Sequence, residues 1–402
     1  MENNQIEDFK ILCGFCKKKS NNIDNYFYSN EHKLYICSQC INVLSKHSFL
    51  ENTKSKLTPR KIYNSIKEYI VGQDDAAMDL SLVLYKHLLL INNPDDGSIK
   101  KIRSNSLILG STGTGKTYML EVASKILGVP FLCADMSGVT AIGYVGKDIE
   151  SIFYDAYKIA DCNANKLKHA IIFFDEFDKI AAGGTHEYLS KDVKSGVQQE
   201  LLKIFEGFPI EVSPDPKRPF QTKIKIQTDG MLFIAGGAFQ NIQTIIKKRA
   251  EKEIVKVDRF YNYENGVLNN KSLMFIIRDE IINSGIIPEL AARFQSIIGF
   301  KDLLIEDYLQ ILNHHDGRLF HYLNIFLKYN FVVVVPDNVR QYFAELAHKL
   351  NVGARGLIGV IDMVFNRYFL DIDNKSNTEH IVSIEEINFV MSTHGSAYLN
   401  KK

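Results

Sequence analysis

The chain has 402 residues, of which 46% are hydrophobic and 24% are charged, close to the average of globular proteins. This composition excludes a disordered tail, a collagen-like fibre and a coiled-coil rod, and at roughly 150 residues per domain the length predicts two or three domains. The 48 Lys and Arg residues nearly balance the 47 Asp and Glu residues, so bulk charge does not favour general nucleic-acid binding. No apolar stretch of membrane-spanning length and no secretory signal is visible, so we expect a cytoplasmic protein without membrane contact.

Four of the six cysteines form two pairs with the spacing of metal ligands. Cys13 and Cys16 are followed, after twenty residues, by Cys37 and Cys40. Two thiolates three positions apart can bind one ion from a tight turn, and the second pair completes a tetrahedron. The alternative is two disulfides, which a reducing cytosol disfavours. We therefore predict a structural Zn²⁺ site in residues 1–50 that contributes roughly 10–16 kcal/mol to their folding. The remaining cysteines are expected to be small buried residues: Cys133 and Cys162.

Residues 51–60 are polar and charged around Pro59, which is typical of a linker. Beyond it, apolar residues recur at three- and four-residue spacing from Ala76 onward, and this pattern predicts a helix. Asp74 and Asp75 come near its start, where the helix dipole favours negative charge.

The strongest motif lies in residues 104–127. Ser106–Leu109 predicts a short strand, the next eight residues match the P-loop pattern, and a helix is expected from Lys116 to a cap at Gly128. In such a loop the glycines let backbone N–H groups approach the phosphates, Lys116 reaches the β- and γ-phosphates, and Thr117 offers a hydroxyl to Mg²⁺. The strand–loop–helix context disfavours an ordinary turn before a helix. The predicted nucleotide contacts are Gly110, Ser111, Thr112, Gly113, Thr114, Gly115, Lys116, Thr117 and Tyr118.

A second apolar run, Ala170–Phe174, is followed directly by Asp175 and Glu176. The run predicts a strand buried on both faces, as in a parallel sheet, and open α/β sheets bind ligands at the carboxyl ends of their strands. Asp175 would orient Mg²⁺ and Glu176 would polarise the attacking water. An Asp-Glu pair alone could be a surface turn after a core strand, but after a P-loop it predicts hydrolysis of a nucleoside triphosphate.

The chain contains, in order, the cysteine module, IVGQDDAA, GSTGTGKT, GYVGKDIE, FFDEFDKIA, SGVQQELLKIFEG, LFIAGGAF, IPELAARF and GARGL. This order resembles the ClpX family of hexameric AAA+ unfoldases, which feed the ClpP peptidase, and the resemblance spans about residues 10–390. It implies an α/β fold: an N-terminal four-cysteine zinc module, an AAA+ P-loop large domain with a parallel sheet over residues 61–300, and a small, mostly helical domain over residues 301–402. It also implies ATP as the nucleotide.

The resemblance assigns roles to single residues. Tyr144 and Val145 would project from a central pore loop, where apolar contact suits the grip on any threaded polypeptide; from the residues alone, a surface turn between glycines explains them as well. Arg293 matches the arginine finger that reaches a neighbouring subunit, and Arg355 matches sensor 2 of the same chain, although either could be a surface ion pair. Val71 would line the adenine pocket. The implied catalytic set is Lys116, Asp175, Glu176, Arg293 and Arg355, and the implied pore loop is Gly143, Tyr144, Val145 and Gly146.

Several further segments bear on the resemblance. Residues 231–239 resemble the sensor 1 strand, which would run beside the P-loop strand, and a second pore loop is expected to have its tip near residues 190–194. The Ile-Gly-Phe tripeptide with which the family docks its peptidase is absent from residues 247–273. Ile298-Gly299-Phe300 does occur, but in a predicted buried strand. The basic pore-entry segment 214–220 keeps only Lys217 and Arg218.

These observations predict an ATP-dependent protein unfoldase and translocase, the specificity and chaperone subunit of a Clp-type protease. The expected cofactors are ATP, Mg²⁺ and Zn²⁺, and the expected partners are threaded protein substrates, further copies in a homohexamer, a ClpP-like peptidase, and adaptors at the zinc module. The missing tripeptide keeps open a free-standing remodeller that docks no peptidase, and the zinc module alone could be an adaptor-binding unit. A nucleic-acid motor is disfavoured because near-zero net charge and a Tyr-Val grip suit polypeptide rather than phosphate.

Overall fold

The computed structural model describes residues 11–14, 19–20, 26–29, 34–40, 57–139, 148–181, 191–213, 223–239, 242, 245, 263–264, 267–268, 278–370, 372 and 378–394. The predictions made for Cys16, for 143–146 and for 214–220 lie outside these residues, as do those for most of 247–273. The chain divides into two compact units, Met1–Thr58 and Pro59–Lys402. None of the described helices is long and apolar enough to cross a membrane.

The first unit contains two short antiparallel strand pairs. The strands are β1 (Ile11–Leu12), β2 (Lys19–Ser20), β3 (Tyr26–Ser29) and β4 (Leu34–Cys37). Strand β4 ends at Cys37, so the second cysteine pair begins where the hairpin ends.

A five-stranded parallel sheet forms the centre of the second unit. Its strands, in spatial order, are β13 (Phe294–Gly299), β5 (Asn105–Leu109), β10 (Leu232–Gly237), β7 (Ile171–Asp175) and β6 (Phe131–Asp135). β5 and β10 are buried along their whole length, because helices cover both faces and every position needs a side chain that tolerates burial. The predicted parallel sheet is confirmed, and β10, which was expected to be the sensor 1 strand, lies beside β5, the strand before the P-loop.

Helices and short hairpins surround this sheet. The helices are α1 (Pro59–Lys67), α2 (Asp74–Asn92), α3 (Gly97–Lys101), α4 (Lys116–Leu127), α5 (Ile149–Ile159), α6 (Ala164–Leu167), α7 (Lys191–Phe205), α8 (Arg278–Asn283) and α9 (Pro288–Ala291). The hairpins are β8 (Ile210–Val212) with β9 (Ile224–Ile226), and β11 (Tyr263–Glu264) with β12 (Val267–Leu268). The core is rich in aromatic rings, and Phe205 stacks on Phe233 with ring centroids 5.0 Å apart.

The rest of the second unit is mostly helical, as expected, and has a hydrophobic core of its own. Its elements are α10 (Ile305–Leu312), α11 (Arg318–Lys328), β14 (Phe331–Val334), α12 (Asp337–Leu350), α13 (Ala354–Leu370), β15 (Thr378–Ile381) and α14 (Ile384–His394). Phe326 and Phe365 lie at its centre with ring centroids 6.3 Å apart. Strands β14 and β15 pair in parallel at its edge.

Some local expectations differ from the structure. Residues 191–194 cannot form the tip of a loop, because α7 already begins at Lys191 and buries Lys194, whose Nζ lies 3.5 Å from the Ala181 carbonyl. Helix α1 begins at Pro59, inside the segment expected to be linker. Cys133 and Cys162 are exposed rather than buried. Cys133 lies on β6, one of the two edge strands of the described sheet, and Cys162 lies in a turn after α5.

Candidate functional site

The P-loop connects β5 to α4 with the geometry of an anion cradle. Gly113 and Gly115 have φ of +81° and +96°, which a residue with a side chain adopts only under strain. The Nζ atom of Lys116 donates to the carbonyls of Gly110 and Ser111, each at 2.8 Å. The ammonium group therefore bonds to the loop itself, and it would exchange these carbonyls for the oxygens of a bound phosphate. Burial lowers the pKa of Lys116, and the negative charge of Asp175 partly opposes this shift.

The carboxylates lie at the carboxyl end of β7, at the same sheet edge as the P-loop. The Thr117 hydroxyl donates to Oδ2 of Asp175 at 3.4 Å, so the helix after the loop meets the strand end directly. A hydroxyl beside a carboxylate is the hard oxygen donor set that Mg²⁺ prefers, so these two residues fit that ion.

Glu176 follows with an exposed side chain and an unusual backbone. Its φ of +53° is left-handed, a conformation that costs a non-glycine residue about 1–3 kcal/mol and clusters at active sites. Its N–H donates to Oδ1 of Asp175 at 2.9 Å, which fixes the turn between the two carboxylates.

A cavity of about 720 Å³ opens beside these residues. Its wall combines P-loop and strand-end residues with Leu303, Leu319 and Leu357 of the helical region's core, so the space lies between the sheet edge and the helical region. Of the residues predicted to act in this site, the following line it: Val71, Thr112, Gly113, Thr114, Gly115, Lys116, Thr117, Tyr118, Asp175, Glu176 and Arg355. The structure thus brings together residues separated by almost 300 positions in the chain.

The helical region touches the P-loop backbone to backbone. The N–H of Ala354, the first residue of α13, donates to the Gly113 carbonyl at 2.8 Å. A Cβ atom on Gly353 would lie 2.4 Å from that carbonyl oxygen, so only glycine permits this approach. The next residue, Arg355, is exposed at the cavity wall, and its positive charge contributes to lowering the pKa of Lys116.

The sequence analysis missed Gln73, which links the P-loop backbone at Thr114 to the backbone of Lys301. Its Nε2 donates to the carbonyls of Thr114 at 3.3 Å and Lys301 at 2.6 Å, and its Oε1 accepts from the Lys301 N–H at 2.9 Å. The signal was present, since Gln73 belongs to the IVGQ segment from which only Val71 was selected. His314 was also missed; it lines the cavity and hydrogen-bonds through Nε2 to the Glu68 carbonyl at 2.7 Å. Nothing local in the sequence marks that contact.

Arg293 does not line the cavity of its own chain among the described residues. It lies between α9 and β13, and its guanidinium forms an ion pair with Glu206, directly after α7. The side chain remains 43% exposed, which leaves it accessible from outside the chain.

In the first unit, Cys13, Cys37 and Cys40 are buried and their Sγ atoms all lie within 4.8 Å of one another. The Cys37 N–H donates to Sγ of Cys13 at 3.4 Å, a contact typical of the knuckles that hold a thiolate. Three clustered thiols fit a soft-ligand metal such as zinc. Cys16, the predicted fourth ligand, lies outside the described residues.

A P-loop beside strand-end carboxylates on this sheet, covered by a helical region that reaches the same cavity, defines an AAA+ ATPase. The family model described as AAA domain (Cdc48 subfamily) matches residues 101–297. Proteins named ATP-dependent Clp protease ATP-binding subunit ClpX are similar over nearly the whole chain. The protein of Bacteroides thetaiotaomicron is 31% identical over 397 residues, and those of two strains of Bacteroides fragilis are 31% identical over 399 residues, in each case 94% of both chains. The chain belongs to the ClpX family, as a divergent member, and is an ATPase whose class uses ATP and Mg²⁺.

Proposed function

We propose that this chain is an ATP-dependent protein unfoldase and translocase, the specificity and chaperone subunit of a Clp-type protease. The observation that carries the proposal is the contact of α13 with the P-loop. Because the Gly113 carbonyl accepts from the Ala354 N–H, a phosphate that reshapes the loop also moves the helical region. Domain closure around a ligand is a common way to convert nucleotide state into motion.

Within the site, each residue has a task that its position supports. Lys116 and the loop N–H groups bind the phosphates, Thr117 and Asp175 hold Mg²⁺, and Glu176 orients the attacking water. When bound, Mg²⁺ neutralises charge that develops on the phosphate oxygens. Arg355 contacts the nucleotide from α13, and Val71 lines the adenine pocket.

Between subunits, Arg293 acts as the arginine finger of the adjacent nucleotide site in a homohexamer. Its partial exposure and its absence from the lining of its own chain's cavity, among the described residues, support a role in trans. Tyr144 and Val145 grip the threaded polypeptide. They belong to segment 140–147, outside the described residues; on either side of it, Val139 and Ile149 are buried.

We assign the zinc-binding domain to residues 1–50, the linker to 51–60, the large ATPase domain to 61–300 and the small domain to 301–402. The change of compact unit after Thr58 falls within the linker and supports a separate first domain. The two separate hydrophobic clusters, one reaching Phe294 and the next beginning at Leu303, support the last. The cysteine module binds Zn²⁺ through Cys13, Cys16, Cys37 and Cys40 and recruits adaptors.

A free-standing remodeller is the second candidate, and one observation favours it. The only Ile-Gly-Phe in the chain has Ile298 and Phe300 fully buried at the end of β13, so it cannot dock a peptidase. The relatives' names, in contrast, describe subunits of a Clp protease. Co-purification with a ClpP-like peptidase in ATP, tested against a mock purification, decides between the two.

The proposal is tested by ATP-dependent loss of fluorescence from a tagged, stably folded reporter. The intact chain unfolds the reporter, and Tyr144→Ala retains ATPase activity but loses at least tenfold in unfolding rate, because the grip loses its aromatic contact area. Tyr329→Ala, which removes an exposed tyrosine of the small domain, is the matched control and leaves unfolding unchanged. No unfolding by the intact chain, or full unfolding by Tyr144→Ala, contradicts the proposal.

A further inference from the structure

Gln198 lies in the middle of α7 and is completely buried. Its Nε2 donates to the Ile180 carbonyl at 2.9 Å and to the Gly285 carbonyl at 3.2 Å, and its Oε1 accepts from the Ile287 N–H at 2.8 Å. All three partners are backbone groups outside α7. Two carbonyls on one side of the amide and an N–H on the other fix which atom is nitrogen and which is oxygen.

The first partner belongs to the segment that carries the hydrolytic carboxylates. Asp175 and Glu176 are followed at once by a 3₁₀ turn, Phe177–Ile180. The Ile180 carbonyl is the last group of that turn, so the bond from Gln198 fixes the end of the segment whose beginning presents Glu176 to the cavity.

The other two partners belong to the segment that carries Arg293. Gly285 and Ile287 directly precede α9, and Ile287 is the residue that caps its N-terminus. Arg293 follows α9 within two residues, and its N–H closes the last turn on the Leu290 carbonyl at 2.9 Å. The bonds from Gln198 therefore fix the start of the short helical segment that leads to Arg293.

Helix α7 holds the arginine segment at a second point as well. Glu206, directly after its last turn, pairs with the Arg293 guanidinium. The Nε atom of Arg293 is buried and has no hydrogen-bond partner among the described residues, so the side chain keeps unused donor capacity.

We propose that Gln198 is a positioning residue that holds Glu176 at its own nucleotide site and Arg293 for the site of the next subunit, and thereby couples the two sites through α7. The inference rests on the proposed function, in which Arg293 acts in trans. Only a primary amide offers two donors and an acceptor in this arrangement. A thioether of similar size removes the side-chain partner of three backbone groups, one buried and two partly buried, and a carboxylate opposes two carbonyl oxygens.

The experiment uses mixed full-length subunits, each inactive alone. The donor subunit carries Lys116→Ala and keeps Arg293; the acceptor subunit carries Arg293→Ala and keeps its P-loop. ATPase activity of the mixture then measures the donor arginine at the acceptor site. Adding Gln198→Met to the donor alone changes a subunit whose own site is already inactive, so any loss of activity passes through the arginine segment.

We expect donor Gln198→Met to lower the kcat of the mixture on the order of tenfold to hundredfold, with the KM for ATP nearly unchanged, because small displacements of a catalytic group cost rate at this scale. Gln198→Met in the acceptor alone also lowers kcat, through Glu176. Gln199→Met changes the exposed neighbour on the same helix and leaves kcat unchanged in either position.

Activity is expressed per assembled ring, measured by gel filtration, so that loss of assembly is not counted as loss of positioning. If Gln198→Met does not assemble, Gln198→Glu, which keeps the side-chain shape, is placed in the donor instead. Unchanged kcat with the substituted donor overturns the inference. An inactive mixture of the unsubstituted donor and acceptor instead overturns the proposed action of Arg293 in trans, so the two failures are distinguishable.

Discussion

At the scale of single residues, the structure separates Lys116, which we propose binds phosphate, from Glu176, which we propose orients the attacking water. Lys116 is buried against the loop carbonyls, while Glu176 is exposed at the cavity on a strained turn. Removal of the Glu176 charge should therefore leave the phosphate cradle intact.

Glu176→Gln should bind ATP with affinity close to that of the intact chain and hydrolyse it roughly 10²–10⁴-fold more slowly, because the amide cannot accept a proton from the attacking water. Binding of a fluorescent ATP analogue and release of phosphate measure the two effects. Glu121→Gln, on the exposed side of α4, is the control and keeps normal turnover. Normal turnover by Glu176→Gln would remove this residue from the proposed chemistry.

The residues found from the sequence belong to short consecutive motifs, whereas the residues that were missed act through partners distant in the chain. The P-loop is eight consecutive positions, and the apolar run before Asp175 places that carboxylate at a strand end. Gln73 and Gln198 are buried amides, which a hydropathy pattern counts as surface residues. Their partners lie up to 228 positions away, so only the folded chain shows why burial is favourable there.

At the scale of elements, the approach of α13 to the P-loop depends on one glycine. Gly353 has φ of +66°, and an added Cβ would lie 2.4 Å from the Gly113 carbonyl oxygen, which is backbone and cannot rotate away. Gly353→Ala should raise the KM for ATP tenfold or more, since α13 must withdraw from the cavity. Steady-state ATPase kinetics test this, with Gly97→Ala as control because its Cβ meets no atom within 4 Å. An unaltered KM would mean that the contact has no part in binding.

A second prediction concerns α2, which His87 ties to the segment before β7. His87 is buried and its Nε2 donates to the His169 carbonyl at 3.0 Å. Burial lowers the pKa of His87 from 6.5 to about 4. The unfolded chain takes up a proton near pH 6.5 and the folded chain does not, so this residue destabilises the fold as the pH falls from 6.5 towards 4. Between pH 7 and pH 5 the loss is about 2 kcal/mol.

Urea unfolding at the two pH values measures that loss, and His87→Gln, which keeps a donor but does not titrate, should reduce the pH dependence by about the same amount. His321→Gln replaces a histidine with an exposed side chain and serves as the control. Equal pH dependence in the intact chain and in His87→Gln would contradict a buried neutral imidazole.

At the scale of the whole molecule, sequence patterning predicted the class of fold better than its assembly. Apolar runs such as Ala170–Phe174 predicted a parallel sheet because such strands are buried on both faces. The cavity between the P-loop and the helical region could not be predicted in the same way. It depends on the meeting of Gly113 with Gly353, and glycines carry no hydropathy signal for the surface that they touch.

The division into two units predicts that metal removal affects only one of them. The described part of Met1–Thr58 has four short strands and a cluster of three buried cysteines, whereas Pro59–Lys402 has two large cores. The first unit therefore has too little apolar surface to fold without its metal.

A zinc-selective chelator in excess Mg²⁺ should release one Zn²⁺ per chain and abolish the hydrogen-exchange protection of β3 and β4. ATP affinity should change less than twofold. Cys37→Ser should reproduce the loss without chelator, and Cys133→Ser, at an exposed thiol, should not. Loss of ATP binding together with the protection would show that the folding of the second unit depends on the first.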